Sequence, residues 1–250
     1  MMLDRPWKPD AVLRMLAGVM LGWSLGILVG AVLGQWLHPE APHTIRFYHF
    51  VITTVSLHGV TLVLAHQLLR QHQVCWRDLI GWAGPGLGRA LGLALAAGLF
   101  MTLGALLLNK GSAWVLEQVR LEPTEQPTVK LLQLTVGWGQ RLAFGLGAIV
   151  LAPVVEEILF RGVVFGFLRQ VFRGSVAYWA SALAFAAIHM NLLTFVPLVF
   201  IGLVLAWVYE RTGRLVAAML THALFNAVNF TLLSFQHELT QWLELWRDRI

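Results

Sequence analysis

Charge and sulfur are both scarce in this chain. Only 12% of its 250 residues are Asp, Glu, Lys or Arg, against about 25% in ordinary soluble chains. A soluble domain of this length needs a wetted charged surface that this composition does not supply. The single cysteine, Cys75, excludes a disulfide-stapled secreted scaffold. Basic residues never gather into a patch of more than two or three, so the net charge of +5 gives no nucleic-acid footprint. It is explained instead by Lys and Arg collecting in short cytoplasmic loops beside anionic lipid. The zinc-protease signature H-E-x-x-H is missing, as are internal repeats and low-complexity tracts. No small-residue cleavage site closely follows the opening MMLDRPWKPD and its apolar run, so the first span is expected to stay as an anchor.

Hydrophobicity is abundant. The apolar fraction is 58%, with 11 Trp and 14 Phe, and the mean hydropathy is +0.69. Disorder is thereby excluded, and the fold class expected is all-α, a polytopic transmembrane helical bundle embedded in the lipid bilayer. Candidate spans are Met15–Leu37, Phe47–Leu69, Ala90–Asn109, Gly174–Tyr209 (split near Asn191–Pro197) and Leu215 to about Phe235. The first carries glycines every fourth residue (Gly18, Gly22, Gly26, Gly30, Gly34), a smooth face for close helix packing. The stretch Leu131–Gln170 reads in two ways: two tight spans turning near Ala152–Pro153, or a surface helix followed by one span from about Leu146 to Leu168. The expected total is 7–8 membrane helices, and the bias of basic residues favours a cytoplasmic N-terminus with seven. Residues 1–130 read as N-terminal membrane helices, 131–235 as the catalytic core, and 236–250 as an amphipathic interfacial helix bearing Trp242, Leu245, Trp246 and Ile250.

Ionisable groups inside a span cost several kcal/mol (about 3 for a single Asp or Arg on insertion scales), so each marks a candidate site. Glu156 and Glu157 are neighbours pointing about 100° apart on a helix. Glu157 pairs with Arg161 at i,i+4, which leaves Glu156 with a different exposure and free to activate water as a general base. A helix-pinning ion pair is the plainer reading of Glu157 and Arg161. Phe185 sits one turn before His189, placing ring beside imidazole. His222 and Asn226 share a face of the last span, and Asn229 can extend that polar stripe. Convergence of these three clusters on one wet cavity would assemble the parts for peptide hydrolysis. Glu156 would take the proton, His189 would orient or share it, and His222 with Asn226 would meet the oxyanion. Metal assistance, with zinc on Glu156, His189 and His222, is the alternative chemistry.

The residues resemble a known family at this point. The element Glu156-Glu157-Ile158-Leu159-Phe160-Arg161-Gly162, the F-x-x-x-H of Phe185 to His189 and the H-x-x-x-N of His222 to Asn226 look like, in order, the three motifs of CPBP intramembrane proteases, the type II CAAX prenyl endopeptidase and bacteriocin-processing group. The resemblance covers about Gly145–Phe230. It implies Glu156 as catalytic glutamate, His189 as its histidine partner, and His222 and Asn226 completing the water or oxyanion site, with Glu157, Arg161 and Phe185 in support. It further implies a membrane-associated, prenylated or otherwise hydrophobic protein or peptide as substrate. The mechanism implied is glutamic-type with no required cofactor, or metal-dependent. A multi-pass protein of a bacterial inner membrane is the expected placement. The rivals are a silent membrane scaffold or immunity protein of the same fold, and a transporter using the same residues as a proton path.

Overall fold

The computed structural model describes residues 7–37, 42–134 and 137–236. The interfacial tail with Trp242, Leu245, Trp246 and Ile250 lies outside them. Among the described residues there are nine helices: α1 (Pro9–Leu37), α2 (Pro42–Gln71), α3 (Trp76–Ile80), α4 (Leu87–Gln118), α5 (Pro127–Gln133), α6 (Trp138–Val171), α7 (Gly174–Ala187), α8 (Leu192–Thr212) and α9 (Leu215–Ser234). Six of them, α1, α2, α4, α6, α8 and α9, are long and apolar enough to cross a membrane. The chain is an all-α, multi-pass membrane protein. Exposed Leu21, Leu28, Leu107, Phe100 and Trp207 cover the outer faces, as lipid-facing helices require.

The count falls below the 7–8 expected for two reasons. First, Leu131–Gln170 does not fold as two spans. From Trp138 to Val171 it is one helix of 34 residues, about 51 Å long, preceded by the short α5. Pro153 neither breaks nor turns it. A proline ring crowds the carbonyl one turn earlier, and here the preceding segment Gly147–Leu151 is wound as a wider π turn that relieves the crowding. Second, α7 has 14 residues, about 21 Å of helix, short of the roughly 30 Å hydrocarbon thickness. The break after it is confined to Ile188–Asn191. Pro197 lies inside α8, contrary to the wider break expected.

Packing relies on small residues. Added Cβ atoms at Gly18, Gly22 and Gly26 would come within 2.7, 2.8 and 2.5 Å of Leu64, Val60 and Ser56 on α2. The glycine stripe on α1 therefore lets the two helices run side by side at a distance larger residues would forbid. Gly34, its fifth member, is outside the described side chains. Elsewhere in the bundle α8 packs against both α4 and α7, and α9 lies against α4 and α8. The closest approach to a neighbouring backbone there is at Gly202 on α8, whose added Cβ would sit 2.8 Å from Ala182 Cα on α7. Ala177, Ala186, Leu205, Ala206, Leu215 and Ala218 are buried around these crossings.

Two polar devices fix the helix ends near the core. Arg214, just before α9, donates from Nη1 to the Gly81 and Ala83 carbonyls (2.6 and 2.7 Å) and from Nη2 to that of Pro85 (2.7 Å). One guanidinium fork thus holds the turn between α3 and α4 against the start of α9. Trp7 is buried ahead of α1, and its Nε1–H donates to the Gly162 carbonyl at 2.9 Å. That carbonyl belongs to a second π-wound segment of α6, Ile158–Phe165.

Candidate active site

The site is built on the turn of α6 that lies between the two π-wound segments. Glu157 and Arg161 point into the protein and have no exposed side-chain surface. Arg161 Nη1 donates to Glu157 Oε1 at 2.9 Å, and Nη2 donates to the Gly202 carbonyl at 3.1 Å. The close α7–α8 crossing at Gly202 brings that carbonyl within reach. The guanidinium carbon also lies 4.6 Å from the centre of the Phe185 ring, a cation–π contact from α7. Arg161 therefore meets a carboxylate, a backbone carbonyl and an aromatic face from three helices.

Glu157 Oε1 is shared. His222 on α9 lies with Nδ1 2.9 Å from the same oxygen. A carboxylate accepts, so Nδ1 carries the hydrogen, and the orientation of the ring follows from that bond. The opposite nitrogen, Nε2, then faces Glu156 Oε2 across 3.9 Å. This gap exceeds hydrogen-bond length and suits a water bonded to both groups. Glu156 keeps 19% of its side-chain surface exposed, so adjacent glutamates on one helix occupy opposite environments.

Phe185 is the apolar centre of the cluster. Its ring lies 5.0 Å from that of His189, 5.9 Å from that of His222 and 5.2 Å from that of Phe160. His189 sits at the end of α7 with Nδ1 2.8 Å from the Phe185 carbonyl, which fixes the hydrogen on Nδ1 and leaves Nε2 outward. Asn226, one turn after His222, donates from Nδ2 to the Ala148 carbonyl at 2.7 Å, in the first π-wound segment. An amide nitrogen has two hydrogens, so one remains for another acceptor. Asn229, three residues on, donates from Nδ2 to the Phe225 carbonyl of its own helix at 2.9 Å.

The seven residues picked from sequence thus come from α6, α7, the turn after α7, and α9. Direct contacts link Glu156, Glu157, Arg161, Phe185, His189 and His222, while Asn226 is tied back to α6. The sequence reading missed the Gly202 carbonyl and the Trp7 indole, which carry no motif; a glycine in mid-span is the one available signal for the first. Among the described residues no three of His, Cys, Asp and Glu group to hold a metal ion. His222 donates from Nδ1 to Glu157 and His189 from Nδ1 to a carbonyl, which leaves both Nε2 atoms open, as in histidines that ligate a metal through the second nitrogen.

The comparisons with known proteins fall on this same stretch. Residues 138–228 match the family described as Type II CAAX prenyl endopeptidase Rce1-like. That match covers about a third of the chain and holds all seven residues above. The chain is also similar to the UPF0177 protein YxdF of Lactococcus lactis subsp. lactis, 26% identical over 78 residues, covering 31% of this chain and 42% of that protein. The match therefore spans less than half of that relative. No solved structure matches the chain significantly.

Proposed function

We propose that this chain is an intramembrane endopeptidase that hydrolyses a peptide bond of a membrane-associated, hydrophobic protein or peptide with glutamate-activated water. The observation that carries the reading is the shared Glu157 oxygen. It ties Arg161 to His222 and leaves His222 Nε2 facing the partly exposed Glu156. A merely structural ion pair does not need a histidine oriented towards a second carboxylate.

In this mechanism a water sits between Glu156 and His222. Glu156 accepts one of its protons, and the His222 Nε2 lone pair accepts a hydrogen bond from the other hydrogen, making His222 the water-orienting group. The water oxygen bonds to the scissile carbonyl carbon as that proton leaves. The resulting oxyanion is met by the spare Asn226 Nδ2 hydrogen. Collapse breaks the C–N bond, with Glu156 returning its proton to the departing amine. His189, with Nδ1 committed to Phe185, offers Nε2 as the second proton-handling group beside the reacting centre. Glu157 and Arg161 are positioning residues, acting through His222. Within the span 131–235 these residues form the catalytic core. A bacterial cell membrane is the proposed setting, in keeping with the bacterial source of the YxdF relative.

The test is cleavage of a library of membrane-anchored peptides by purified wild-type protein beside Glu156→Gln, with metal content measured on the same samples. Loss of turnover by about 10²-fold or more in the folded, metal-free variant is expected for removal of a general base. Equal background from both proteins would overturn the reading in favour of a silent scaffold. Stoichiometric metal would overturn the metal-free mechanism.

A further inference from the structure

The chain between α4 and the end of α5, residues 119–133, does not loop freely away from the bundle. At one end it is tied to the turn that follows His189. Asn191 Nδ2 donates to the Thr124 carbonyl at 2.8 Å, and Gln126 Nε2 donates to Thr194 Oγ1 at 2.9 Å. Farther on, α5 packs against α9 and α2, with Leu132 buried. The segment therefore bridges the helix start beside His189 and the helix that carries His222 and Asn226. These are the two walls that contribute histidines to the cluster.

The two tethers differ in kind from ordinary loop contacts. Asn191 is the N-cap of α8, its Oδ1 accepting from Thr194 N at 3.0 Å and from Thr194 Oγ1 at 3.0 Å. One side chain thus caps α8 and holds the strap, two residues after His189. The backbone is also strained at both ends of the connection. Arg120, where the strap begins, and Met190, between His189 and Asn191, have φ of 59° and 45°, a left-handed conformation that non-glycine residues seldom adopt. Such positions persist where the surroundings hold them, and they gather at clamps and switches. Releasing the tethers would let both relax.

We infer that residues 119–133 are a strap closing the mouth of the Glu156–His222–His189 cluster, latched by Asn191 and Gln126, and that a substrate segment enters by displacing it. The inference rests on the reading of that cluster as the working site. The substrate would then replace the strap's hydrogen bonds to Asn191 and Thr194 with those of its own backbone. Asn191 becomes a positioning residue that couples entry to the placement of His189.

Thiol labelling tests this without using catalysis. The reporter is Glu156→Cys in a Cys75→Ser background, since Cys75 is the one native cysteine, reacted with a water-soluble maleimide. Asn191→Asp keeps the cap acceptor for Thr194 and removes the donor to Thr124. Gln126→Ala removes the second tether. Two weak hydrogen bonds together hold the closed form by roughly tenfold or somewhat more, so the combined Asn191→Asp/Gln126→Ala variant should label about ten times faster than its parent, with an unchanged melting curve. Gln126→Ala alone should give a rise of about threefold and serves if the combined variant does not fold. An unchanged labelling rate in a folded variant would overturn the strap. Peptide cleavage by the same tether variants, with Glu156 and Cys75 native, separates the two readings. Faster labelling where the native-site protein cleaves nothing would retain the strap and sink the peptidase. Normal cleavage with unaltered labelling would do the reverse.

Discussion

Glu157→Gln separates the structural and positioning roles of the buried pair. The amide keeps the volume and retains one oxygen where Oε1 accepts from Arg161 and His222. Its NH2 falls at Oε2, which has no hydrogen-bond partner among the described residues. The change therefore removes mainly the negative charge and leaves a fully buried guanidinium without its counterion. Breaking a buried pair in this way costs about 3–5 kcal/mol. At about 2–4 °C per kcal/mol for a chain of this size, the melting temperature should fall by about 6–20 °C. Tryptophan fluorescence in detergent reads the transition. Adding Arg161→Met removes the orphaned cation, and stability should return to near the wild-type value, short of about 1 kcal/mol for the lost bond to the Gly202 carbonyl. Turnover should not return. His222 would still have an oxygen to bond but no charge beside it, and kcat should stay down by about 10²-fold or more. A Glu157→Gln protein melting within about 2 °C of wild type would refute the buried-pair energetics. Recovery of both stability and turnover in the double variant would reduce the pair to a brace and remove Glu157 from the mechanism.

Two further substitutions test the framework around the site. Gly202→Ala places a methyl 2.8 Å from the Ala182 backbone, so α7 and α8 must part; a loss of about 1–3 kcal/mol is expected. Because the Gly202 carbonyl also holds Arg161, peptidase turnover should fall with the melting temperature, and a change in neither would contradict the close crossing. Trp7→Phe keeps an aromatic ring and deletes the donor to the Gly162 carbonyl, a loss of about 0.5–1.5 kcal/mol for one hydrogen bond. Thermal unfolding checks it, and a melting temperature at the wild-type value would show that the indole hydrogen bond does not anchor the N-terminus.

The parts of this architecture legible in sequence are those governed by spacing within one helix. Four-residue spacing was enough to pair Glu157 with Arg161 and to lay Phe185 beside His189, because i,i+4 neighbours share a face whatever packs against them. The glycine stripe on α1 was legible for the same reason: it needs only a partner at close range, and α2 supplies one. Pro153 misled because the usual consequence of a proline assumes an α-helical turn before it, whereas the Gly147–Leu151 turn is wider. The length of α7 was hidden in 36 uncharged residues, Gly174–Tyr209, since an uncharged apolar run does not by itself mark where a helix stops. The strap went unread because Asn191, Gln126 and Thr194 make long-range bonds, and nothing local in a polar loop announces its distant partner.

The adjacency of the two glutamates has a physical consequence that neither residue carries alone. Neighbours on a helix diverge by about 100°, so one can enter the protein only if the other turns away from it. Burying Glu157 requires a cation, and Arg161 four residues on is the one that the same face provides. A single carboxylate oxygen that already binds Arg161 then has one more direction open, and His222 from α9 takes it. The histidine's second nitrogen is thereby directed back across the helix towards the side where Glu156 emerges. The geometry of the reacting pair is in this sense set by the non-reacting one. A conservative exchange at Glu157 is accordingly expected to disturb the Glu156–His222 gap more than the same exchange at any residue lining the apolar faces of α6.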